Sequence, residues 1–356
     1  MRKPVGFYTG KLRETENDTK FCSCDFDKEN CVISIVNAHT VSKGASLSEI
    51  QVDGHVHFLE TDPSLYRPGV EAFETVCFRR IGINHASTIR AFCSRHDQLL
   101  FKQLDSFNLS DAPLFFWQLF YRTLCFERYR KIVAKNYVPL MRDLDCGFAF
   151  SDQPGWQDFV TRNELGHSMG FLDLDEFKNT LEECFIKQTY RTELKYLYYE
   201  IPYRLPIAAS GNFQPDLSVD GKKLQNVNFM VKVGSEILGP NLDQICMSIL
   251  PSEDKTFLSF CTLSSHLRSL EFIKTFARVS SATVDNFVGL AVLKMENVFF
   301  GPAFVESQSD FARRKLRVLH SFGIGKDVKV AEMNLAMRLG IFAPYERFEP
   351  VHNLSE

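Results

Sequence analysis

Cysteine and histidine residues concentrate in two short segments near the start of the chain. The first is FCSCDFDKENC at residues 21–31, and the second is FCSRHD at residues 92–97. A structural zinc ion takes four such ligands in a tetrahedron, and a turn plus the start of a helix is a common way to supply them. The pattern therefore predicts a zinc site in which Cys93 and His96 form a C-x-x-H pair.

The first segment offers more cysteines than one zinc ion needs. Cys31 is a predicted ligand, and the fourth ligand is either Cys22 or Cys24, which the spacing does not separate. A zinc ion closed by four protein ligands stabilises a fold and does no chemistry itself. His39 and Asp97 then remain as nearby groups that could carry a reaction.

Length and composition are those of an ordinary globular protein. The 356 residues are 45% hydrophobic and 24% charged, with a formal net charge of -3 that gives no overall attraction to nucleic acid. The sequence has neither an apolar run long enough to cross a membrane nor the apolar core of a signal peptide. We expect a cytoplasmic protein with no membrane segment.

The hydrophobic pattern predicts an α+β fold in two parts. Residues 1–107 form a zinc-bound module, in which a loose arm over residues 1–20 precedes short strands and a helix that begins between Ala91 and Asp97. Residues 108–356 form a helical middle followed by a larger mixed α/β region. The predicted elements of this second part are helices over 112–141 and Asp173–Arg191, then strands that include KTFLSFCTL and GLAVLKMENVFF.

The N-terminal motifs resemble those of the HNH, or ββα-metal, endonucleases. That family has a cysteine pair, a histidine at a strand end, an asparagine, and a zinc knuckle that opens a helix. The matching features here are Cys22 and Cys31, His39 in NAHT, Asn84 in GINHAST, and FCSRHD. The resemblance implies an N-terminal ββα-metal-like module, with Cys22, Cys31, Cys93 and His96 holding structural Zn²⁺.

The same resemblance implies hydrolysis of phosphodiester bonds in DNA or RNA. His39 would act as the general base, Asn84 would orient the site, and Asp97 would bind a catalytic Mg²⁺ or Mn²⁺ in place of the family's last histidine. His85 is an open alternative to Asn84 for the middle position, and one of His55 and His57 could be the metal ligand instead. Nucleic acid is the expected partner, and Lys43, Arg90 and Arg95 are candidate phosphate contacts.

A second resemblance covers most of the chain. A bacterial protein family pairs AHT-, DGHV-, GINHAST- and FCxxHD-like segments with a later PxxxxDGxxLQ stretch, which is PDLSVDGKKLQ at residues 215–225 here. This implies a shared fold and no mechanism. Defence against phage follows only by analogy with other bacterial nucleases. The alternative function is a non-catalytic, zinc-stabilised binding or sensor protein, with residues 108–356 binding a partner protein or a second copy.

Overall fold

The computed structural model is a mixed α+β protein, as the sequence predicts. The structure describes residues 5–62, 70–146, 149–226, 231–233, 236–238, 242–279, 283–322, 328–342, 348, 350, 351 and 354. The helices are α1 (Val5–Asp18), α2 (Ser48–Ile50), α3 (Ser94–Asp105), α4 (Ala112–Arg142), α5 (Gln153–Ile186), α6 (Tyr190–Glu193), α7 (Leu267–Val279), α8 (Val284–Lys294), α9 (Pro302–Ser307), α10 (Asp310–Ser321) and α11 (Val330–Ala336). The strands are β1 (Ile35–His39), β2 (His55–Thr61), β3 (Val76–Gly82), β4 (Thr88–Cys93), β5 (Leu194–Ile201), β6 (Ile207–Phe213), β7 (Val231–Val233), β8 (Glu236–Leu238), β9 (Ile245–Pro251), β10 (Thr256–Leu263) and β11 (Val298–Phe300).

A seven-stranded antiparallel sheet lies at the centre, in the order β3-β2-β11-β6-β9-β10-β5. Strand β10 is buried along its whole length, because helices cover both faces of the sheet. Phe260 faces α7 and α8, whereas Phe257 and Cys261 face the core built on α4. Side chains alternate between the two faces of a strand, so one continuous buried run serves two separate cores.

Helix α4 is the main support of the second core. It is buried nearly all round from Phe115 to Phe126, and the Trp117 ring stacks on Tyr121 and on Phe185, with centroids 4.9 and 4.2 Å apart. Asp111 accepts a hydrogen bond from the Leu114 N–H at 3.3 Å and so caps the helix. The predicted helix over residues 112–141 is confirmed.

Helix α5 begins at Gln153, well before the predicted start at Asp173. Pro154 in its first turn is an ordinary start signal, but Gly166 and Gly170 weaken the helical pattern that follows. Gly170 has a packing reason, since a side chain there would lie 3.2 Å from the Lys131 side chain on α4. Within the described part of the chain, no helix is long and apolar enough to cross a membrane.

Two other local predictions were wrong. Residues 5–18 form helix α1 where a loose arm was expected. The stretch GLAVLKMENVFF was predicted as a strand, but its first half, residues 289–294, belongs to helix α8, and only Val298–Phe300 is strand. Every residue of α8 is buried. A helix buried all round has no polar stripe, so its apolar run cannot be told from a buried strand by periodicity.

The segment between β1 and β4 contributes its strands to a different sheet from β1 and β4. Strands β1 and β4 pair only with each other, whereas β2 and β3 join the seven-stranded sheet, where β2 pairs with β11 through Phe58 and Phe299. The predicted boundary at residue 107 therefore does not separate one sheet from another. Residues 1–107 contribute strands to both.

The close packing of α8 on α11 gives a stability test. A methyl group at Gly289 would lie 2.8 Å from the carbonyl carbon of Ala336, which is main chain and cannot turn aside. We expect Gly289→Ala to destabilise the fold by about 1–3 kcal/mol in urea unfolding, because the helices must separate. Gly166→Ala is the control, since open space surrounds that glycine in α5, and it should stabilise by about 0.5–1 kcal/mol. Equal effects of the two substitutions would contradict this packing.

Candidate metal centre

Strands β1 and β4 run antiparallel, and β4 leads directly into α3. Ile35 lies opposite Cys93, and His39 lies opposite Thr88 at the other end of the pair. Cys93 is the N-cap residue of α3, so Cys93 and His96 both lie at the first turn of that helix. The predicted helix start between Ala91 and Asp97 is confirmed.

The extended segment before the first turn lies beside β4. The Phe21 N–H donates to the Arg90 carbonyl at 3.2 Å, and the Ser23 N–H donates to the Ala91 carbonyl at 2.9 Å. The Cys22 Sγ atom lies 3.3 Å from the Nδ1 atom of His96, whereas Cys24 is fully buried and is not one of the donors that meet there. This settles which of the two cysteines joins the cluster.

Four donor atoms converge at this point, from Cys22, Cys31, Cys93 and His96, all within 4.8 Å of one another. The His96 Nδ1 atom lies 3.3, 3.5 and 3.3 Å from the Sγ atoms of Cys22, Cys31 and Cys93. Ligands bonded to tetrahedral zinc at about 2.1–2.3 Å are separated by about 3.6 Å. The donor types and their spacing therefore fit a zinc ion, which these four residues could hold.

The fifth member of the centre is Asp27, which the sequence analysis missed. Its Oδ2 atom lies 3.0 Å from the Nε2 atom of His96, whose side chain is almost fully buried. Hydrogen bonds from Asn30 and His96 lower the pKa of the Asp27 carboxyl. A carboxylate that holds the second nitrogen of a ligating histidine fixes the ring and its tautomer. Nδ1 is then left with its lone pair directed at the metal position.

The thiols differ in acidity. Burial raises the pKa of Cys22 to about 12. Burial also acts to raise the pKa of Cys93, but the backbone N–H groups of His96 and Val32 outweigh it and the net value falls to about 7. Zinc binds cysteine as thiolate, so loading this centre releases protons, chiefly from the less acidic thiols.

A buried ion cluster ties the first cysteine segment to the long helices. The Lys178 side chain of α5 is fully buried, and its Nζ lies 2.6 Å from Asp25 and 2.9 Å from Glu182. The Asp25 N–H also donates to Glu182 at 3.2 Å, and the Tyr121 hydroxyl of α4 donates to Glu182 at 2.6 Å. A buried ammonium is costly unless it is paired, so the segment must stay against α4 and α5.

His39 is held at the end of β1 by a main-chain carbonyl. Its Nε2 lies 2.9 Å from the Ile83 oxygen, which can only accept, so Nε2 carries the hydrogen and Nδ1 carries the lone pair. The Ile83 N–H donates to the Gly54 carbonyl at 2.9 Å, which connects the GINHAST and DGHV turns. Burial lowers the pKa of His39, so the ring is neutral at pH 7.

Asn84 and Asp97 have different surroundings. Asn84 is exposed in the turn that follows Ile83. Asp97 is half-buried in the first turn of α3, where its Oδ1 lies 3.4 Å from Arg122, and it is not one of the four donors around His96. Burial raises the pKa of Asp97 despite this cation.

Arg122 and Asp105 are charged groups that the sequence analysis missed. The Arg122 side chain of α4 is only 2% exposed, and it pairs with Asp105 at 2.7 Å as well as with Asp97. Charges on Arg122 and Asp105 both act on the pKa of His39. Arg122 and Asp105 lie far from His39 in sequence and belong to no motif with it. Only the packing of α3 and α4 brings them close to His39.

The alternative histidines lie elsewhere. His55 and His57 are on β2 in the seven-stranded sheet, on one face, with Val56 buried on the other. His55 Nδ1 lies 2.6 Å from the Asp53 carbonyl, and His85 is exposed in the turn after Asn84. None of the three belongs to the donor set around His96.

Comparison with protein-family models, with curated proteins and with solved structures finds no match to this chain. The functional inference therefore depends on the geometry of these side chains and on the motifs in the sequence.

The donor geometry predicts about one zinc ion per purified chain, measured by elemental analysis. Cys22→Ser and Cys93→Ser should lose the metal and lower the melting temperature, because a structural zinc contributes folding free energy. Cys24→Ser is the matched control and should keep its zinc, since Cys24 is not one of the four donors. Zinc lost from Cys24→Ser but kept by Cys22→Ser would overturn this assignment.

Asp27 gives a graded test of the same centre. Asp27→Asn keeps the shape of the side chain but removes the charge that holds His96, so zinc affinity should fall about 10–100-fold in chelator competition. Asp18→Asn is a surface control that should leave the affinity unchanged, because Asp18 is exposed at the end of α1. Unchanged zinc affinity in Asp27→Asn would show that the Asp27–His96 contact does not serve the metal.

Proposed function

We propose that the chain is a metal-dependent endonuclease that hydrolyses phosphodiester bonds of DNA or RNA. In this proposal, zinc braces a ββα-metal-like unit of β1, β4 and α3, and His39 is the general base. The observation that carries it is the single tautomer in which His39 is held, at the end of the β1–β4 pair opposite the candidate zinc centre. A base held in one tautomer, neutral at pH 7, is ready to accept a proton.

The proton moves to a defined atom. The Ile83 carbonyl holds the Nε2 hydrogen, so a water molecule attacking phosphorus would give its proton to Nδ1. The charge of Asp105 would favour the imidazolium formed, against the larger opposing charges of Arg122 and Lys43. Asn84, one residue beyond Ile83, is proposed to keep this turn in place.

The positive charge needed by a phosphodiester has a candidate source in Arg122. The charge of its guanidinium acts to lower the pKa of His39, and the group is almost fully buried between Asp97 and Asp105. A catalytic Mg²⁺ or Mn²⁺ on Asp97 would have to compete with this guanidinium for the carboxylate. A single carboxylate that is already paired with a guanidinium is a poor ligand for a hard cation. The proton transfer to His39 therefore does not depend on a bound Mg²⁺ or Mn²⁺.

The nucleic acid would approach over exposed cations near His39 and the knuckle. Lys43 and Arg95 are exposed and are proposed as phosphate contacts. Arg90 is already engaged, since it donates to Asn37 at 3.0 Å and to the Asn17 carbonyl at 2.9 Å. A cytoplasmic role in defence against phage belongs to the same proposal, as does a protein partner or second copy bound by residues 108–356.

One observation favours the alternative function. Arg122 neutralises both Asp97 and Asp105, and this closed set of charges resembles a structural ion cluster. In that case the zinc centre would only stabilise the fold of a non-catalytic binding or sensor protein.

The two functions differ in a cleavage assay. Purified protein is incubated with plasmid DNA, single-stranded DNA and RNA in Mg²⁺, in Mn²⁺ and in EDTA. We expect cleavage by the wild type, a loss of about 10²–10⁴-fold in His39→Ala because the general base is removed, and no loss in His85→Ala. The rate should fall at pH values below the usual histidine pKa of about 6.5, as His39 takes up a proton.

Cleavage that persists in His39→Ala would show that another residue is the base. Absence of cleavage in every condition, with one zinc ion per chain, would favour the binding or sensor protein.

A further inference from the structure

A cleft of about 250 Å³ lies between strand β3 and helix α10, on elements other than β1, β4 and α3. Strand β3 is the edge strand of the seven-stranded sheet, with β2 as its neighbour. Helix α10 buries one stripe of side chains in the core, and positions 310, 313 and 317, on the neighbouring stripe, line the cleft. We call this site the β3–α10 cleft, and its lining residues are Cys77, Phe78, Asp310, Arg313 and Arg317.

The Arg317 side chain has no partner among the residues that the structure describes. It is half-buried, yet it makes neither a hydrogen bond nor an ion pair with them. Of its three nitrogen atoms, only Nε is buried without an acceptor, so Nη1 and Nη2 remain accessible. A guanidinium carries five N–H donors, and donors withdrawn from water are nearly always paired. The two Nη atoms are therefore available to a group that enters the cleft.

The other charged groups of α10 make Arg317 an exception. Each of the other three arginine and lysine residues of this helix has a partner, and the pairs are Arg313 with Asp310 at 2.5 Å, Arg314 with the Phe73 ring at 4.9 Å, and Lys315 with the Leu339 carbonyl at 2.7 Å. Arg313 and Arg317 are one helical turn apart, and like charges at that spacing repel each other. An anion between them would remove this repulsion.

The cleft carries one positive charge that no lining group offsets. Asp310 balances Arg313, and its own side chain is 97% exposed, so the cleft opens to solvent at this end. Burial raises the pKa of the Cys77 thiol, which therefore adds no negative charge. The charge of Arg317 remains, which favours an anionic ligand over a neutral or cationic one.

Strand β3 gives the cleft a fixed wall. The Phe78 ring packs edge-on against the Phe300 ring, with centroids 5.5 Å apart, and the Cys77 thiol donates to the Glu60 carbonyl of β2 at 3.6 Å. Pockets for drug-sized molecules hold about 300–1,000 Å³. A cleft of about 250 Å³ therefore suits a smaller ligand.

We propose that the β3–α10 cleft binds a small oxyanion, a phosphate or a carboxylate, whose oxygen atoms accept hydrogen bonds from the guanidinium of Arg317. Both anions present two oxygen atoms at the spacing of the parallel N–H groups of an arginine. Arg313 adds positive charge from the next turn of the helix. The bound anion would supply the acceptors that Arg317 lacks and would offset its charge. The site is independent of the proposed nuclease activity.

Binding is measured by isothermal titration calorimetry in Tris chloride buffer, with inorganic phosphate and phenyl phosphate in one arm and acetate and benzoate in the other. We expect saturable binding of at least one probe, weakened tenfold or more in Arg317→Met, which keeps an apolar stem but removes the charge. Arg314→Met removes the same charge from the same helix outside the cleft, so it should bind as the wild type does. The arm that binds separates a phosphate ligand from a carboxylate.

Melting temperatures separate a binding site from a structural cation. A bound probe should raise the melting temperature of the wild type but not that of Arg317→Met, because a ligand that binds only the folded state stabilises it. Without a probe, Arg317→Met should melt at or above the wild-type temperature, since no bond is lost and the repulsion from Arg313 is removed.

Four outcomes would overturn the proposal. These are no binding of any probe at millimolar concentration, normal binding by Arg317→Met, equal weakening in Arg314→Met, and a marked fall in the melting temperature of Arg317→Met without a probe.

Discussion

The β1–β4 pair cannot keep its shape alone, because an isolated two-stranded sheet is at best marginally stable in water. Yet it carries His39 at one end and Cys93 at the other. Its order must come from its neighbours, which are the aromatic helix α4, the extended cysteine segment beside β4, and four soft donors that a metal ion would draw together. The candidate chemistry of the N-terminal region depends on these supports.

Charge reinforces the same arrangement. Lys178 of α5 and Arg122 of α4 are buried cations, and each is paired with a carboxylate from the N-terminal elements. Separating either pair would leave an unpaired charge in the interior, which proteins strongly avoid. The first cysteine segment and α3 are therefore held to α4 and α5 as one unit, even though the sequence predicts a small zinc-bound module followed by a separate region.

Much of the candidate zinc centre could be predicted because its spacing is local. Cys93 and His96 are one helical turn apart, and Cys31 is close to Cys22 in sequence. The choice of Cys22 over Cys24 depended on which thiol lies next to His96 in the folded chain, and no sequence pattern reports this. Helix α4 was recognisable from its length and N-terminal proline, whereas α8 was missed because complete burial removes amphipathic periodicity. Groups that meet only through tertiary packing, such as Arg122 and His39, were out of reach.

The placement of β2 has a consequence for synthesis of the chain. Its neighbour in the sheet is β11, at Val298–Phe300, so β2 and β3 stay without that partner until residues 298–300 have left the ribosome. Contacts between such distant segments form slowly, because a long loop must be closed first. During translation the unpaired edge of β2 would be open to wrong pairing, and N-terminal fragments of this protein should aggregate rather than fold.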